Sequence, residues 1–147
     1  MALNKFAGAV ALVVGGALAG LGVQAAETGK LAAPAANGDE IQVAQDAAAG
    51  KVAFIACAAC HTIDKGAPNR VGPNLNGIIG KKAAAVAGFA YSDPFKKGAA
   101  DIVWTEAKVD EWITMPAKMI AGTKMTYPGQ ANETTRKNII AYMKSIP

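Results

Sequence analysis

Apolar positions fall at helical spacing in three stretches, and the segments between them are rich in turn residues. In Asn132–Ile146 the residues Ile139, Ile140, Tyr142, Met143 and Ile146 form an i, i+3, i+4, i+7 stripe. Asn132 can cap this helix, Glu133 suits its positive N-terminal end, and Lys137 and Lys144 lie in its C-terminal half. Thr105–Thr114 places Val109, Trp112 and Ile113 on one side, behind a Thr105 cap and ahead of Met115-Pro116, which ends it. Asp46–Ala56 carries Ala and Val at helical spacing, with Asp46 as its N-cap. Gly50 and Phe54 share one face of that helix. A glycine there allows a second helix to approach closely, and the last segment is its natural partner. No run reads as a strand, so the pattern predicts an all-α fold with long irregular connections.

The first 45 residues follow a different pattern. Lys5 precedes an uncharged run, Phe6–Val23, of eighteen residues, and Val23-Gln24-Ala25 offers small residues for a signal peptidase. Residues 1–26 therefore read as an export segment, either a cleaved signal peptide or an uncleaved anchor that crosses the membrane through residues 6–23. Both readings place the remainder in the periplasm. Glu27–Gln45, with Gly29, Pro34, Gly38 and a run of Ala, reads as a flexible linker, leaving 46–147 as the folded domain.

Composition sharpens this picture. Aromatic residues are only 6% of the chain, so a core made of protein alone would be thin, and a large apolar cofactor would fill it. Net charge is +4, but four of the eleven acids and two of the fifteen bases precede Ala47, which leaves +6 on the remainder. With just Arg70 and Arg136 as arginines and no nucleic-acid motif, scattered lysines point to an acidic protein partner and away from nucleic acid.

The sharpest chemical signal is Cys57-Ala58-Ala59-Cys60-His61, the attachment pattern of a c-type haem. Two thiols one helical turn apart can add to two vinyl groups on one side of a porphyrin, and the following imidazole then points at the iron. A redox Cys-x-x-Cys would sit in a βαβ unit, and none is present. A zinc site would need further ligands, yet the chain has two Cys and one His. A disulfide here would close too small a loop to stabilise much. One haem c per chain is expected, held by Cys57 and Cys60, with His61 as an axial ligand. Since His61 is the sole histidine, a sixth ligand must be Met, Lys, Tyr, an exogenous molecule or nothing.

Three turn-rich stretches carry the remaining chemistry. Arg70–Leu75 offers the Pro73 carbonyl to the second nitrogen of His61, a bond that fixes the ring and raises its basicity. Gly88–Pro94 reads as a turn whose Tyr91 hydroxyl can reach a propionate. Met119–Gly129 is a loop bounded by Gly122 and Pro128-Gly129, and a thioether on it is free to face an iron. Among the internal methionines, Met143 fits the apolar stripe and Met115 and Met119 suit packing, so Met125 is favoured as ligand on local pattern.

These residues together resemble a class I cytochrome c of the mitochondrial and bacterial c2 type, from about Ala47 to Ile146. The motifs stand in that family's order: Phe54, Cys57–Thr62, Val71-Gly72-Pro73-Asn74-Leu75, Gly88-Phe89-Ala90-Tyr91, Trp104, Gly122-Thr123-Lys124-Met125 and Ile139–Tyr142. The resemblance implies terminal helices that cross and long loops wrapped around one covalent haem. It implies Met125 as the sixth ligand, Pro73 as the carbonyl that holds His61, and Tyr91 and Trp104 as donors to a buried propionate. Trp112 takes the place of an interior tyrosine near the Met ligand, and Tyr127 that of a surface phenylalanine beside the haem edge. Three departures stand out: Lys81 where the family often has Arg, Phe95 near a usually polar position, and Trp112 without a hydroxyl. The stretch Leu3–Val10 is also similar to the N-terminus of membrane-anchored bacterial relatives.

The function that follows from the resemblance is one-electron transfer by a monomer, not an enzyme reaction. The expected partners are complexes with acidic docking faces, such as a cytochrome bc1 complex, a terminal oxidase or a reaction centre. Lys65, Lys81, Lys82, Lys118 and Lys124 are expected to ring the docking edge. Two rival readings are a sensor or enzyme with an open sixth position, which lacks a second His to act on a ligand, and a haem domain held permanently in a complex.

Overall fold

The computed structural model describes residues 38–147, so the export segment and most of the linker lie outside the described residues. Six helices follow one another: α1 Gly38–Ala53, α2 Ile55–Ala58, α3 Asp93–Gly98, α4 Glu106–Thr114, α5 Pro116–Met119 and α6 Glu133–Ser145. No sheet forms among them. The one isolated bridge, Lys82 with Val103, ties the loop after residue 78 to the chain entering α4.

The expected helices at 105–114 and 132–146 are present, each capped as the sequence predicts. Thr105 accepts from the Lys108 amide, and Asn132 accepts from the Thr135 amide. The first helix differs. It opens at Gly38 and not at an Asp46 cap, and so absorbs the last eight residues of the expected linker. Glu40–Gln45 contains no Gly or Pro, and Ala, Glu and Gln are good helix formers. Asp46 acts inside the helix, where its carboxylate accepts from Gln42 Nε2 at 2.9 Å. Helix α3 is a further difference: it starts at the end of the Gly88–Pro94 stretch expected to be a turn and continues past it to Gly98. Ser92 caps it by accepting from the Phe95 amide, and Pro94 supplies a preset φ in its first turn.

The fold closes where α1 meets α6. A Cβ on Gly50 would overlap the Asn138 carbonyl oxygen and lie 2.8 Å from Tyr142 Cβ, so the two backbones are in contact there. One turn on, Phe54 packs edge-on against Tyr142 with ring centroids 5.3 Å apart. Helical hydrogen bonding runs through this point, from the Phe54 amide to the Gly50 carbonyl and from the Ala58 amide to the Phe54 carbonyl. The α1–α6 crossing thereby fixes the position of α2 and its cysteine. Phe54, Ile139, Ile140 and Met143 are buried on this side of the core, and Phe95, Trp104, Val109, Trp112 and Ile113 on the other.

This contact leaves no room for a methyl group. Gly50→Ala should lower stability by about 1–3 kcal/mol, the usual cost of overpacking, seen as a lower guanidinium midpoint. An unchanged midpoint would mean that the two backbones do not touch.

Candidate functional site

Between α2, α4, α6 and the loops lies a largely apolar cavity of about 380 Å³. That volume is within the range of small-molecule and cofactor sites. Cys57, Cys60 and His61 line it from the end of α2, and Met125 lines it from the loop after α5. The Cys60 and His61 amides both donate to the Cys57 carbonyl, at 3.0 and 2.9 Å, so the two thiols stand one turn apart with the imidazole next in line. Both cysteines are free, and burial pushes the Cys57 thiol up to about 11.

His61 Nδ1 donates to the Pro73 carbonyl at 2.8 Å. A carbonyl can only accept, so the proton sits on Nδ1 and the Nε2 lone pair is free. Burial lowers the His61 pKa against the opposing effect of the Pro73 bond, and so favours the neutral ring. A neutral ring with one nitrogen fixed by a carbonyl is the form that binds a metal. Gly72 makes this arrangement sterically possible, since a Cβ there would overlap His61 Cε1 and lie 2.6 Å from Nδ1. The supporting loop is held by side-chain amides. Asn74 Nδ2 donates to the Asp64 and Ala67 carbonyls at 2.9 and 2.8 Å, and its Oδ1 accepts from the Asn76 amide at 2.6 Å. Arg70 Nη1 reaches back to the Ala58 carbonyl at 2.7 Å, which binds the loop to α2.

The aromatic residues form the opposite part of the wall. Tyr91 stacks on Phe95 at 5.3 Å, Phe95 meets Trp112 edge-on at 5.6 Å, and Trp104 lies 5.7 Å from Trp112. All four line the cavity, as does the half-buried Tyr127. Burial raises the Tyr91 and Tyr127 hydroxyl pKa values, opposed at Tyr91 by the Val86 backbone. Phe95 is thus a wall residue, a role that the sequence reading had not given it. Its signal was the Ser-Asp-Pro helix start just ahead.

The methionines separate by environment. Met115 is 48% exposed, and Met119 is half-buried against the core. Met143 is buried in α6 and borders the cavity from within the helix stripe, whereas Met125 reaches it from a loop. Lys65, Lys81, Lys82, Lys118 and Lys124 are all exposed, and none pairs with a described carboxylate. In contrast Lys96, Lys108, Lys137 and Lys144 each sit 2.7–2.8 Å from an Asp or Glu. Lys124 lies at the cavity itself.

Two free thiols, a neutral imidazole and a thioether, gathered on one apolar cavity, suit a covalently attached porphyrin. The loop under His61 offers a direct test. Asn74→Ala removes three hydrogen bonds and should cost about 1–3 kcal/mol, with amide exchange at Asn76 accelerating more than in α6. Equal exchange at both places would show that the loop is held by other means.

Comparison with known proteins gives the same frame. The cytochrome c family model matches residues 47–147. Cytochrome c2 of Rhodoblastus acidophilus is 51% identical over 100 residues, covering 68% of this chain and 92% of that protein. Cytochrome c2 of Blastochloris viridis is 46% identical over 101 residues, covering 69% and 78%. Among solved structures, cytochrome cH from Methylobacterium extorquens superposes with a TM-score of 0.61 at 42% identity, covering 68% of this chain and 98% of that one. With the cavity, its Cys-x-x-Cys-His helix and these relatives in agreement, the chain belongs to the cytochrome c family, as a class I, c2-type electron-transfer protein and not an enzyme.

Proposed function

We propose that this electron carrier works in the periplasm with one haem c bound through Cys57 and Cys60, and with His61 and Met125 as axial ligands. One observation carries the reading: both thiols, the free Nε2 of a neutral His61 and the Met125 loop border the same apolar cavity. When bound, the haem supplies a one-electron iron couple whose potential a thioether ligand raises. The polypeptide does the rest. Pro73 holds the His61 ring in one tautomer and one orientation, and Gly72 keeps the backbone against it. Tyr91 and Trp104 serve the propionate side, and Trp112 with Phe95 excludes water near the Met125 loop. Lys81 stands in for a more usual arginine near the propionates. The Phe6–Val23 segment lies outside the described residues, and no helix among the described residues is long and apolar enough to cross a membrane.

Lys65, Lys81, Lys82, Lys118 and Lys124, five of the seven described lysines that pair with no described carboxylate, are proposed to steer the protein onto acidic faces of a cytochrome bc1 complex, a terminal oxidase or a reaction centre. Unpaired cations are available to a partner, whereas Lys96, Lys108, Lys137 and Lys144 already have internal anions. Such docking is fast and transient, and salt weakens it.

Intact mass should show one haem added to the chain, retained under denaturing conditions, and lost from the Cys57→Ser/Cys60→Ser variant. Met125→Ala should lower the reduction potential and let the ferrous protein bind carbon monoxide at neutral pH. Wild type that binds carbon monoxide as readily would overturn the His/Met ligand set.

With an isolated bc1 complex at low ionic strength, Lys124→Gln should slow association more than Lys137→Gln does. The gap should close as the Debye length falls toward about 8 Å at physiological salt. Equal effects of the two substitutions would remove the steering role.

A further inference from the structure

Arg136 is the one buried charged residue among the described residues, at 9% exposure. Neither the docking lysines nor the cavity wall includes it. It lies in α6 just ahead of Ile139 and Ile140, and its guanidinium is almost fully engaged. Nε donates to Asp110 Oδ1 at 2.8 Å and Nη2 to Asp110 Oδ2 at 3.3 Å. Nη1 donates to the carbonyls of Gln130 at 3.0 Å and Ala131 at 2.9 Å. Four of the five N–H groups of an arginine are thus committed.

Tying α4 to α6 needs only the Asp110 half of this set. The other half grips backbone that belongs to neither helix, at the end of the loop that carries Met125. The same few residues are held from α4 as well, since the Gln130 amide donates to the Ile113 carbonyl at 2.8 Å. Gln130 in turn accepts from the Asn132 amide through Oε1 at 3.0 Å, just ahead of α6. Between Lys124 and Gly129, by contrast, the sole hydrogen bond among the described residues is from the Met125 amide to Thr123 Oγ1, at 3.3 Å. The interior of the loop is held by the packing of Met125 and Tyr127 against the core, and its polar anchors lie at its ends.

We propose that the Arg136–Asp110 pair, with the Gln130 and Ala131 carbonyls, clamps the C-terminal end of the Met125 loop, making Arg136 a positioning residue for the sixth iron ligand. The proposal rests on Met125 being that ligand. A bidentate guanidinium fixes direction as well as distance, which a lysine at 136 would not. Loss of the clamp raises the population of loop conformations in which Met125 has left the iron.

The test uses ferrous holoprotein and carbon monoxide, which competes only when the sixth position opens. Loss of hydrogen bonds from a charged donor should raise the open population, and with it the carbon monoxide binding rate, by about tenfold. Arg136→Met should show this, and Arg136→Met/Asp110→Leu should show it without leaving a lone carboxylate. Lys144→Gln, which breaks the exposed Lys144–Glu106 tie between the same two helices without reaching the loop, should not. If Arg136→Met does not accumulate as holoprotein, Asp110→Asn carries the test in the same direction. Folded clamp variants that bind carbon monoxide at the wild-type rate would overturn the proposal and leave the pair a structural tie. Wild type that binds it as fast as Met125→Ala would remove the ligand reading first, and the clamp with it.

Discussion

Two helix backbones meet at Gly50, where the first helix passes against the Asn138 carbonyl and the Tyr142 side chain of the last. The cavity depends on that approach. The chain leaves the crossing through Phe54 without losing helical hydrogen bonds and delivers Cys57, Cys60 and His61 at once. From the other partner, Ile139 and Met143 face inward to form part of the same wall. A chain so poor in aromatic residues has little apolar volume to spend on a separate scaffold. Joining the cysteines directly to the tightest contact in the fold places them without one.

A second order is imposed by polar groups. The loop from Thr62 to Asn76 has almost no regular secondary structure, yet several of its carbonyls and amides are satisfied by Thr62, Asn69 and Asn74, and Arg70 ties it to the Ala58 carbonyl. These bonds are local, so the loop keeps its shape and presents the Pro73 carbonyl to His61. The imidazole is oriented by backbone, and no ionisable partner has to hold a charge beside it. At the far side of the cavity the Met125 loop has few such internal bonds, and its polar anchors lie at its ends. The two flanks of the site are therefore built on different principles, one held along its length and the other at its anchors.

Much of this was legible in the sequence because it is local. Cys57–His61 has a chemical spacing, and the apolar stripes of 105–114 and 132–146 come with side-chain caps that leave little ambiguity. The close approach at Gly50 follows from a glycine four residues before a large aromatic on one helix face. The parts that were not legible are short or long-range. Helix α3 spans six residues, too few for a period to show, and α5 only four. The start of α1 at Gly38 reflects helix propensity continuing through residues whose low apolar content resembled a linker. Arg136 drew no role from the sequence because its partner lies twenty-six residues away, though its place one turn before Ile139 and Ile140 was the available clue. Phe95 at a usually polar position was visible as a departure, but two of its three aromatic neighbours, Trp104 and Trp112, come from other parts of the chain.

Gly72 has a consequence for how this sequence can drift. Any missense change at its codon introduces a Cβ, and the space a Cβ would occupy already belongs to the His61 ring. The position has no neighbouring allele that differs only a little, because even alanine meets the full obstruction. Substitution there would have to follow, not precede, a displacement of the imidazole.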